Sequence, residues 1–359
     1  MDAIVLVGGE GTRLRPLTYD VPKQMLPVVD RPMIAHVVAW LAEYGVDRVV
    51  LSLGYRPDAF VAGFPSGEIS GARLVYAIEP ELLDTAGAIG FAARSASIDG
   101  TFLVLNGDVL SDFDIGSLVA FHHRVGAEAT IELTPVENPS AFGVVPTDPS
   151  GRVTAFIEKP PPESAPTNLI NAGCYVLEPS VLERIPAGRR VSVERETFPA
   201  LVASSSLFAL ASDSYWLDTG TPEKFLQASL DVLNGRRTPR SRPSAPEVAP
   251  HVFVDPSAVA AGEIGECCYL GPRSLVSEGA ECYASVLGEE AVVGPGARVS
   301  GSILMAGARI ETGAVVESSI IGPGATIGAS SKVMGYTVVG SGVAVASSTT
   351  LEGARCPGP

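Results

Sequence analysis

Three glycines and two arginines crowd the stretch Gly8-Gly9-Glu10-Gly11-Thr12-Arg13-Leu14-Arg15. Glycine has no Cβ and tolerates positive φ, so such a stretch brings backbone N–H groups close to a ligand. The two arginines give that ligand's sign: an anion, with phosphate the best match to guanidinium forks and backbone donors. Known phosphate loops do not fit. A Walker loop needs Lys then Ser or Thr after its last glycine, and Gly11 is followed by Thr12-Arg13. A dinucleotide fingerprint needs a third glycine where Leu14 stands. Lys23 follows in a segment bounded by Pro22 and Pro27, which favour an extended, stiff loop outside any helix.

The elements that must hold this loop are legible as apolar runs. Residues 3–7 read as a buried parallel strand that empties into the glycines. Residues 49–53, 74–77 and 101–105 repeat the pattern, the last running into Asn106-Gly107-Asp108. Between them, Met33, Ile34, Val37, Val38 and Leu41 recur at helical spacing. A short helix is expected at 58–62, and Asp84-Thr85-Ala86-Gly87 opens another through Arg94. Strand and helix alternate, with Gly, Lys and Asp in the loops. The layout is a doubly wound α/β domain, Rossmann-like, which takes ligands at the carboxyl ends of its strands. Past residue 125, strands at 129–134, 142–145, 153–158 and 170–177 lack long helices between them and suggest a mixed or antiparallel extension. Ser192 opens a helix with acidic residues in its first turn, and a last helix runs to about Asn234.

Residues 236–250 are rich in Pro, Arg and Ser and read as an exposed linker. Beyond them apolar residues recur every five or six positions, at Val259, Ile264, Leu270 and Leu275, then from Val293 through Val299, Leu304, Ile310 and Val316 to Leu351. Small residues and glycines fill the gaps. This is a hexapeptide repeat, the pattern of a left-handed parallel β-helix with five or six turns. The expected division is therefore 1–235 for the α/β domain, 236–250 for the linker and 251–359 for the β-helix. Removing residues 250–359 is expected to alter assembly, as a homo-oligomer, more than chemistry.

Composition narrows the partners. A formal charge of −15 disfavours nucleic acid and anionic membranes. No apolar run approaches the length that spans a bilayer. Five cysteines without C-x-x-C spacing fit a reducing compartment better than a disulfide framework. With no basic leader ahead of the first strand, a cytoplasmic location is expected. Cys267-Cys268 reads as one core residue and one outward neighbour. The four histidines, His36, His122, His123 and His251, fall outside the motifs, and His122-His123 at a helix end reads as solvated surface.

The ordered segments GGEGTRLRPLT, LNGDVL, SAFGVV, FIEKP, INAGCYVLEP, VSVERETFP and YWLDTGTPEKF resemble the sugar-1-phosphate nucleotidylyltransferases. Their order is similar to that of mannose-1-phosphate guanylyltransferases carrying a β-helix. The resemblance implies transfer of a nucleotidyl group from an NTP, GTP in that family, to a sugar 1-phosphate with release of pyrophosphate. It implies that Gly8, Gly9, Gly11 and Thr12 line the nucleotide phosphates, and that Glu79, Gly87 and Asn106 surround the nucleoside. Arg13 and Lys23 would neutralise charge during transfer, and Asp108 and Asp218 would hold Mg²⁺. Glu158 and Asn171 would meet sugar hydroxyls, Lys159 the sugar phosphate, and Gly143 would permit its close approach. No nucleophile from the protein is needed, which agrees with the absence of a Ser-His-Asp or Cys-His set.

Two positions depart from the family pattern. Gln24 stands where guanylyltransferases usually have proline and resembles the thymidylyltransferases. Asp84 replaces the glycine that usually precedes Thr-Ala-Gly. The alternatives are a guanylyltransferase for another sugar or cyclitol 1-phosphate, and a thymidylyl- or adenylyltransferase. A non-catalytic regulatory subunit that binds sugar nucleotide is the alternative of another class. An acyltransferase is disfavoured, because no histidine follows His251.

Overall fold

A computed structural model describes residues 1–237 and 241–357. Packing divides the chain into two compact units. One comprises Met1–Gly9 with Ile34–Trp216, the other Glu10–Met33 with Leu217–Pro359.

The first unit is built on a ten-stranded mixed sheet. Its central strand, Asp2–Leu6, runs parallel to Arg48–Leu53 on one side and to Phe102–Asn106 on the other, with Ala72–Ile78 next beyond Arg48–Leu53. Strand order therefore reverses at Asp2–Leu6, the switch point at which open α/β sheets bind ligands. Ile4, Val5, Val49, Val50, Leu51, Leu103 and Val104 are all buried, as strands covered on both faces must be. The helix α1 (Met33–Glu43) buries Met33, Ile34, Val37, Val38 and Leu41, as its spacing predicts. The helices α2 (Pro57–Gly63) and α3 (Asp84–Ser95) follow, and α3 packs on the three parallel strands ending at Leu6, Leu53 and Ile78.

The antiparallel extension is also present. Leu169–Leu177 pairs antiparallel with Phe102–Asn106 and with Ala129–Pro135, and a bulge falls between Asn171 and Tyr175. Gly143–Val144 and Ile157–Glu158 complete that edge. The strand expected at 153–158 is shorter than its apolar pattern, because Val153 makes only an isolated bridge to Thr147. The helix expected from Ser192 opens as a π-turn, Val193–Thr197, before α5 (Phe198–Ala203). Pro199 has no N–H to close an α-type bond onto Arg195, and the wider turn results.

The second unit contains the rest of the signature segment, the helix α6 (Pro222–Leu233) and a left-handed parallel β-helix. Val286 pairs with Ile303, Ile303 with Ile320 and Ile320 with Val338, a repeat of 17 or 18 residues. Leu287, Leu304, Ile321 and Val339 fill the interior. At one corner the hydroxyls of Ser285, Ser302 and Ser319 are fully buried. Ser302 donates to Ser300 O at 2.7 Å, and Ser319 N donates to Ser302 Oγ at 3.1 Å. Ser285 does the same for the coil before, so these two hydroxyls each satisfy one carbonyl and the next coil's amide.

The outer neighbours Val286, Ile303, Ile320 and Val338 are buried too, none above 2% exposed. Successive strand residues point to opposite faces, so this wall is covered outside as well as within. Part of the cover is the signature segment. A Cβ on Gly340 would lie 3.0 Å from Pro16 Cγ, and Leu14, Pro16 and Leu17 are buried. Removing residues 250–359 would take away the wall against which Pro16 packs, so truncation bears on the signature segment as well as on assembly.

The segment expected to be an exposed linker is partly packed. Ser241, Pro243 and Ala245 are buried in alternation, Ser244 N donates to Asp30 at 2.7 Å, and Arg31 donates to Arg242 O at 2.8 Å. Its residues 238–240 lie outside the described residues. Cys267 and Cys268 are both buried, against the expected outward neighbour. Conversely, Val259 in the first coil is 54% exposed, where the repeat predicted an interior residue. Among the described residues, no helix is long and apolar enough to cross a membrane.

Glu132 sits within the strand Ala129–Pro135, opposite the bulge, 2% exposed, and accepts a hydrogen bond from Ser111 Oγ at 3.2 Å. Burial pushes its carboxyl from an ordinary value of 4.5 up to about 8, against the Ser111 bond. Between those values the folded chain holds a proton that the unfolded chain has lost. Stability should therefore fall as pH rises from 5 to 8, by up to about 1.4 kcal/mol per unit. Glu132→Gln keeps an acceptor for Ser111 and should flatten that slope in urea midpoints; an unchanged slope would assign the dependence to other groups.

Candidate functional site

In the first unit, the residues singled out from sequence gather past the carboxyl ends of the parallel strands. Leu6 is level with Ser52 and Asn106. Val7 N donates to Ser52 O at 3.1 Å, and Gly107 N to Leu6 O at 3.0 Å. A Cβ on Gly107 would come within 2.9 Å of Leu6 O, so glycine is required for this approach. Gly8 lies beside Gly54 and Glu79, its hypothetical Cβ 3.6 Å from Glu79 Oε1, while Gly9 faces open space. Asp108, half-buried, follows directly on Gly107.

Glu79 is buried and doubly held: Ser52 Oγ donates to Oε1 at 3.2 Å and Leu83 N to Oε2 at 3.0 Å. These bonds fix where the carboxylate points. At the start of α3, the amides of Ala86 and Gly87 both donate to Val191 O, at 2.9 and 3.1 Å. Gly87 is thus stitched to the chain ahead of the π-turn, and a Cβ there would meet Arg189 O at 2.9 Å. Asp84 is exposed and accepts from its neighbour Thr85 N at 2.8 Å.

The bulge joins two further residues. Gly173, at φ 83°, would place a Cβ 2.7 Å from Asn106 Nδ2, and its amide donates to Asn171 Oδ1 at 3.0 Å. Asn171 Nδ2 in turn donates to Tyr175 Oη at 2.9 Å. Gly143 is level with Glu158, and a Cβ on it would strike the Phe156 ring at 2.7 Å and approach Glu158 Oε2 at 3.1 Å. Lys159 pairs with Glu158 at 3.4 Å and keeps its side chain 60% exposed.

Sequence reasoning assigned no role to Glu194 on the π-turn. It accepts from Thr85 Oγ1 and from Ser192 Oγ, both at 2.7 Å. Its charge helps to hold the Tyr175 hydroxyl well above its usual range, after burial as the main cause. The signal available was Ser192, which caps the turn by accepting from Arg195 N at 3.2 Å.

The chain passes into the second unit between Gly9 and Glu10. Gly11, at φ 63°, caps a 3-10 turn, Thr12–Leu14, and Thr18 Oγ1 donates to its carbonyl at 2.9 Å. A Cβ on Gly11 would press on Lys23 Cβ and Thr18 Cγ2, each at 3.1 Å. Lys23 is 8% exposed and lies in a 3-10 turn, Lys23–Met25, not the extended loop expected between its prolines. The two arginines of the loop part ways. Arg15 pairs with Glu10 at 2.7 Å and lies over the Tyr19 ring. Arg13 stands beside Gly220, where a Cβ would collide with its guanidinium and lie 2.9 Å from Asp218 Oδ1. Asp218 Oδ1 accepts from Gly220 N at 2.8 Å. Gln24 is buried, and its Oε1 has no hydrogen-bond partner among the described residues.

Asp108 in the first unit and Asp218 in the second each offer carboxylate oxygens, the ligand type that hard divalent cations take. Comparisons with known proteins agree in kind. A family model described as nucleotidyl transferase matches residues 2–235, and one described as GMPPB C-terminal domain matches residues 248–357. Mannose-1-phosphate guanylyltransferase from Mycobacterium tuberculosis is 47% identical over 66% of this chain and 65% of its own length. Probable mannose-1-phosphate guanylyltransferase 2 of Arabidopsis thaliana is 40% identical over 76% of each. Among solved structures, HddC from Yersinia pseudotuberculosis complexed with GMP-PN superposes with a TM-score of 0.54 at 27% identity, over 64% of this chain and 97% of that one.

Gly220 allows a direct check on Arg13, whose guanidinium lies beside it. Its φ is not in the left-handed region, so Gly220→Ala strains nothing in the backbone and must displace the Arg13 guanidinium. Affinity for a nucleoside triphosphate with divalent metal, read by calorimetry, should fall about tenfold or more, the worth of one hydrogen bond to a charged group. The thermal midpoint should hardly move; unchanged affinity would remove Arg13 from the phosphate site.

Proposed function

The chain belongs to the nucleotidyl transferase family, alongside the mannose-1-phosphate guanylyltransferases, and from that premise we propose that it transfers the guanylyl group of GTP to mannose 1-phosphate, giving GDP-mannose and pyrophosphate. The observation that supports this chemistry is the gathering of Arg13 and Asp218 about Gly220, in one packed unit with Gly11 and buried Lys23. Cation, carboxylate and backbone donors in a rigid frame are what phosphoryl transfer asks of a protein.

In this reading a phosphate oxygen of the sugar 1-phosphate attacks the α-phosphorus of the nucleotide in line, and pyrophosphate leaves. Lys23 meets the α-phosphate and offsets charge as the fifth oxygen arrives. Arg13 holds the departing pyrophosphate, and Gly8, Gly9, Gly11 and Thr12 lie along the triphosphate. Glu79, Gly87 and Asn106 surround the nucleoside, with Glu79 aimed by Ser52 and Leu83. Glu158 and Asn171 accept sugar hydroxyls, Lys159 binds the sugar phosphate, and Gly143 admits the ring closely. Asp108 and Asp218 supply the carboxylate ligands for Mg²⁺, which when bound neutralises charge on phosphate oxygens. We take residues 1–235 as the transfer domain, 236–250 as the connection and 251–359 as the surface through which a homo-oligomer assembles in the cytoplasm, without nucleic acid or membrane.

A second reading, thymidylyl transfer, is favoured by one observation: the buried Gln24 side chain beside Lys23, with its Oε1 unpartnered. A matrix of NTPs against sugar 1-phosphates separates the two. Pyrophosphate should appear only when Mg²⁺, GTP and a sugar 1-phosphate are all present, with mannose 1-phosphate the best acceptor. Turnover with dTTP and none with GTP would overturn the guanylyl assignment. Lys23→Ala should lower kcat by about 10²–10³, the loss typical of one preorganised charge contact; an unchanged rate would exclude Lys23 from the transfer step.

A further inference from the structure

The histidine pair read from sequence as solvated surface is not one. His122 and His123 lie in the last turn of the helix α4 (Ile115–Val125), and His122 is 1% exposed. Its Nδ1 lies 2.8 Å from Thr130 Oγ1 and its Nε2 3.1 Å from Glu178 Oε1. Glu178 follows directly on the strand Leu169–Leu177 and accepts from Thr101 Oγ1 at 2.7 Å. The His123 ring stands 5.6 Å from that of His122, and one ligand atom from each of His122, His123 and Glu178 can be chosen within 4.8 Å of the others.

We propose that His122, His123 and Glu178 form a binding site for Zn²⁺ or a similar transition-metal dication, distinct from the metal of the transfer reaction. Register separates the two. Leu177 is level with Phe102, the first residue of the parallel strand Phe102–Asn106, and Thr101 precedes it. Glu178 therefore lies at the amino end of that strand, whereas Asp108 follows its carboxyl end.

The chemistry fits a borderline cation. Zinc held at about 2.0–2.2 Å by nitrogen and oxygen sets its ligand atoms about 3.3 Å apart, close to the Nε2–Oε1 separation already present. Exposed His123 closes the remaining gap by turning its side chain, and water completes a tetrahedron. Mg²⁺, which wants six oxygens, does not compete for such a set. Without the cation, Nε2–H donates to the Glu178 carboxylate and Nδ1 accepts from the Thr130 hydroxyl. With it, the proton resides on Nδ1 and is donated to Thr130 Oγ1, and the Nε2 lone pair goes to the metal. The threonine hydroxyl can take either part, so the exchange releases no proton. That is the outer-sphere bond by which metal-bound histidines are oriented. Burial, outweighing Glu178, lowers the His122 pKa, so the imidazole is neutral near pH 7. Burial opposes ionisation of Glu178, but its bonds to Thr101 and His122 keep its carboxyl below the usual range.

An ion here would tie the end of α4 to the end of a central strand, stabilising the fold by mass action without touching turnover. The test is a Zn²⁺ titration of the full-length, metal-stripped protein in excess Mg²⁺, followed by calorimetry and thermal melting. One equivalent should bind and raise the thermal midpoint. His123→Ala, at an exposed position that leaves the buried bonds intact, should weaken Zn²⁺ by more than about tenfold and abolish the thermal shift, while Asp108→Asn keeps both. Wild-type stoichiometry and affinity in His123→Ala, or loss of the Zn²⁺ equivalent in Asp108→Asn, would overturn the site.

Discussion

The glycine and arginine loop at the start of the second unit depends on a wall that is buried on both sides. A β-helix of this size could fill its interior with Leu287, Leu304, Ile321 and Val339 and leave its outer face polar. Here the outer neighbours Val286, Ile303, Ile320 and Val338 are apolar and equally buried. Each fully buried aliphatic side chain contributes about 1.5–3 kcal/mol, so covering this face is a substantial part of what holds the second unit together. The cover includes the residues around Pro16, two positions beyond Leu14 and three beyond Arg13. Arg13, itself exposed, thus stands directly ahead of the buried residues Leu14, Pro16 and Leu17, which tie down one side of the short glycine loop.

Close approach governs the first unit in the same way. Gly8 beside Gly54, Gly107 against Leu6 and Gly173 against Asn106 are places where two backbones, or a backbone and a side chain, meet without a Cβ between them. These contacts draw the strand ends together, and the polar groups that result are largely committed. Glu79 serves Ser52 and Leu83, Asn171 serves Gly173 and Tyr175, and the first amides of α3 serve Val191. Such commitment is preorganisation: side chains already bonded in place need no reorganisation when charge develops nearby.

Much of this was legible in the sequence, for reasons that differ by element. The parallel strands and α1 announce themselves because burial on both faces or along one stripe forces an apolar period. The β-helix shows because its coil repeats. What escaped depends on partners distant in sequence. The stretch 236–250 has a linker's composition, yet Asp30 and Arg31 bind it. His122 continues the buried face of α4 formed by Ile115, Leu118 and Phe121, and Thr130 and Glu178 satisfy its ring there. Glu194 shows locally only through Ser192, since its bond to Thr85 closes only when α3 meets the π-turn. The loop residues Arg13 and Arg15 are equivalent by type; only Glu10 and Tyr19 on one side and Gly220 on the other tell them apart.

The serine ladder of the β-helix bears on how such a chain can change length. Ser285 and Ser302 each bond within their own coil and to the next coil's amide, so the hydroxyl of one turn must arrive level with the backbone of its neighbour. One residue added inside a strand would leave an amide stranded beneath it and swing the apolar row to the outside. An insertion of a full repeat, placed between coils, disturbs neither. Growth of this domain is therefore quantised: the heritable unit of lengthening is the coil, and variation finer than that is confined to the corners.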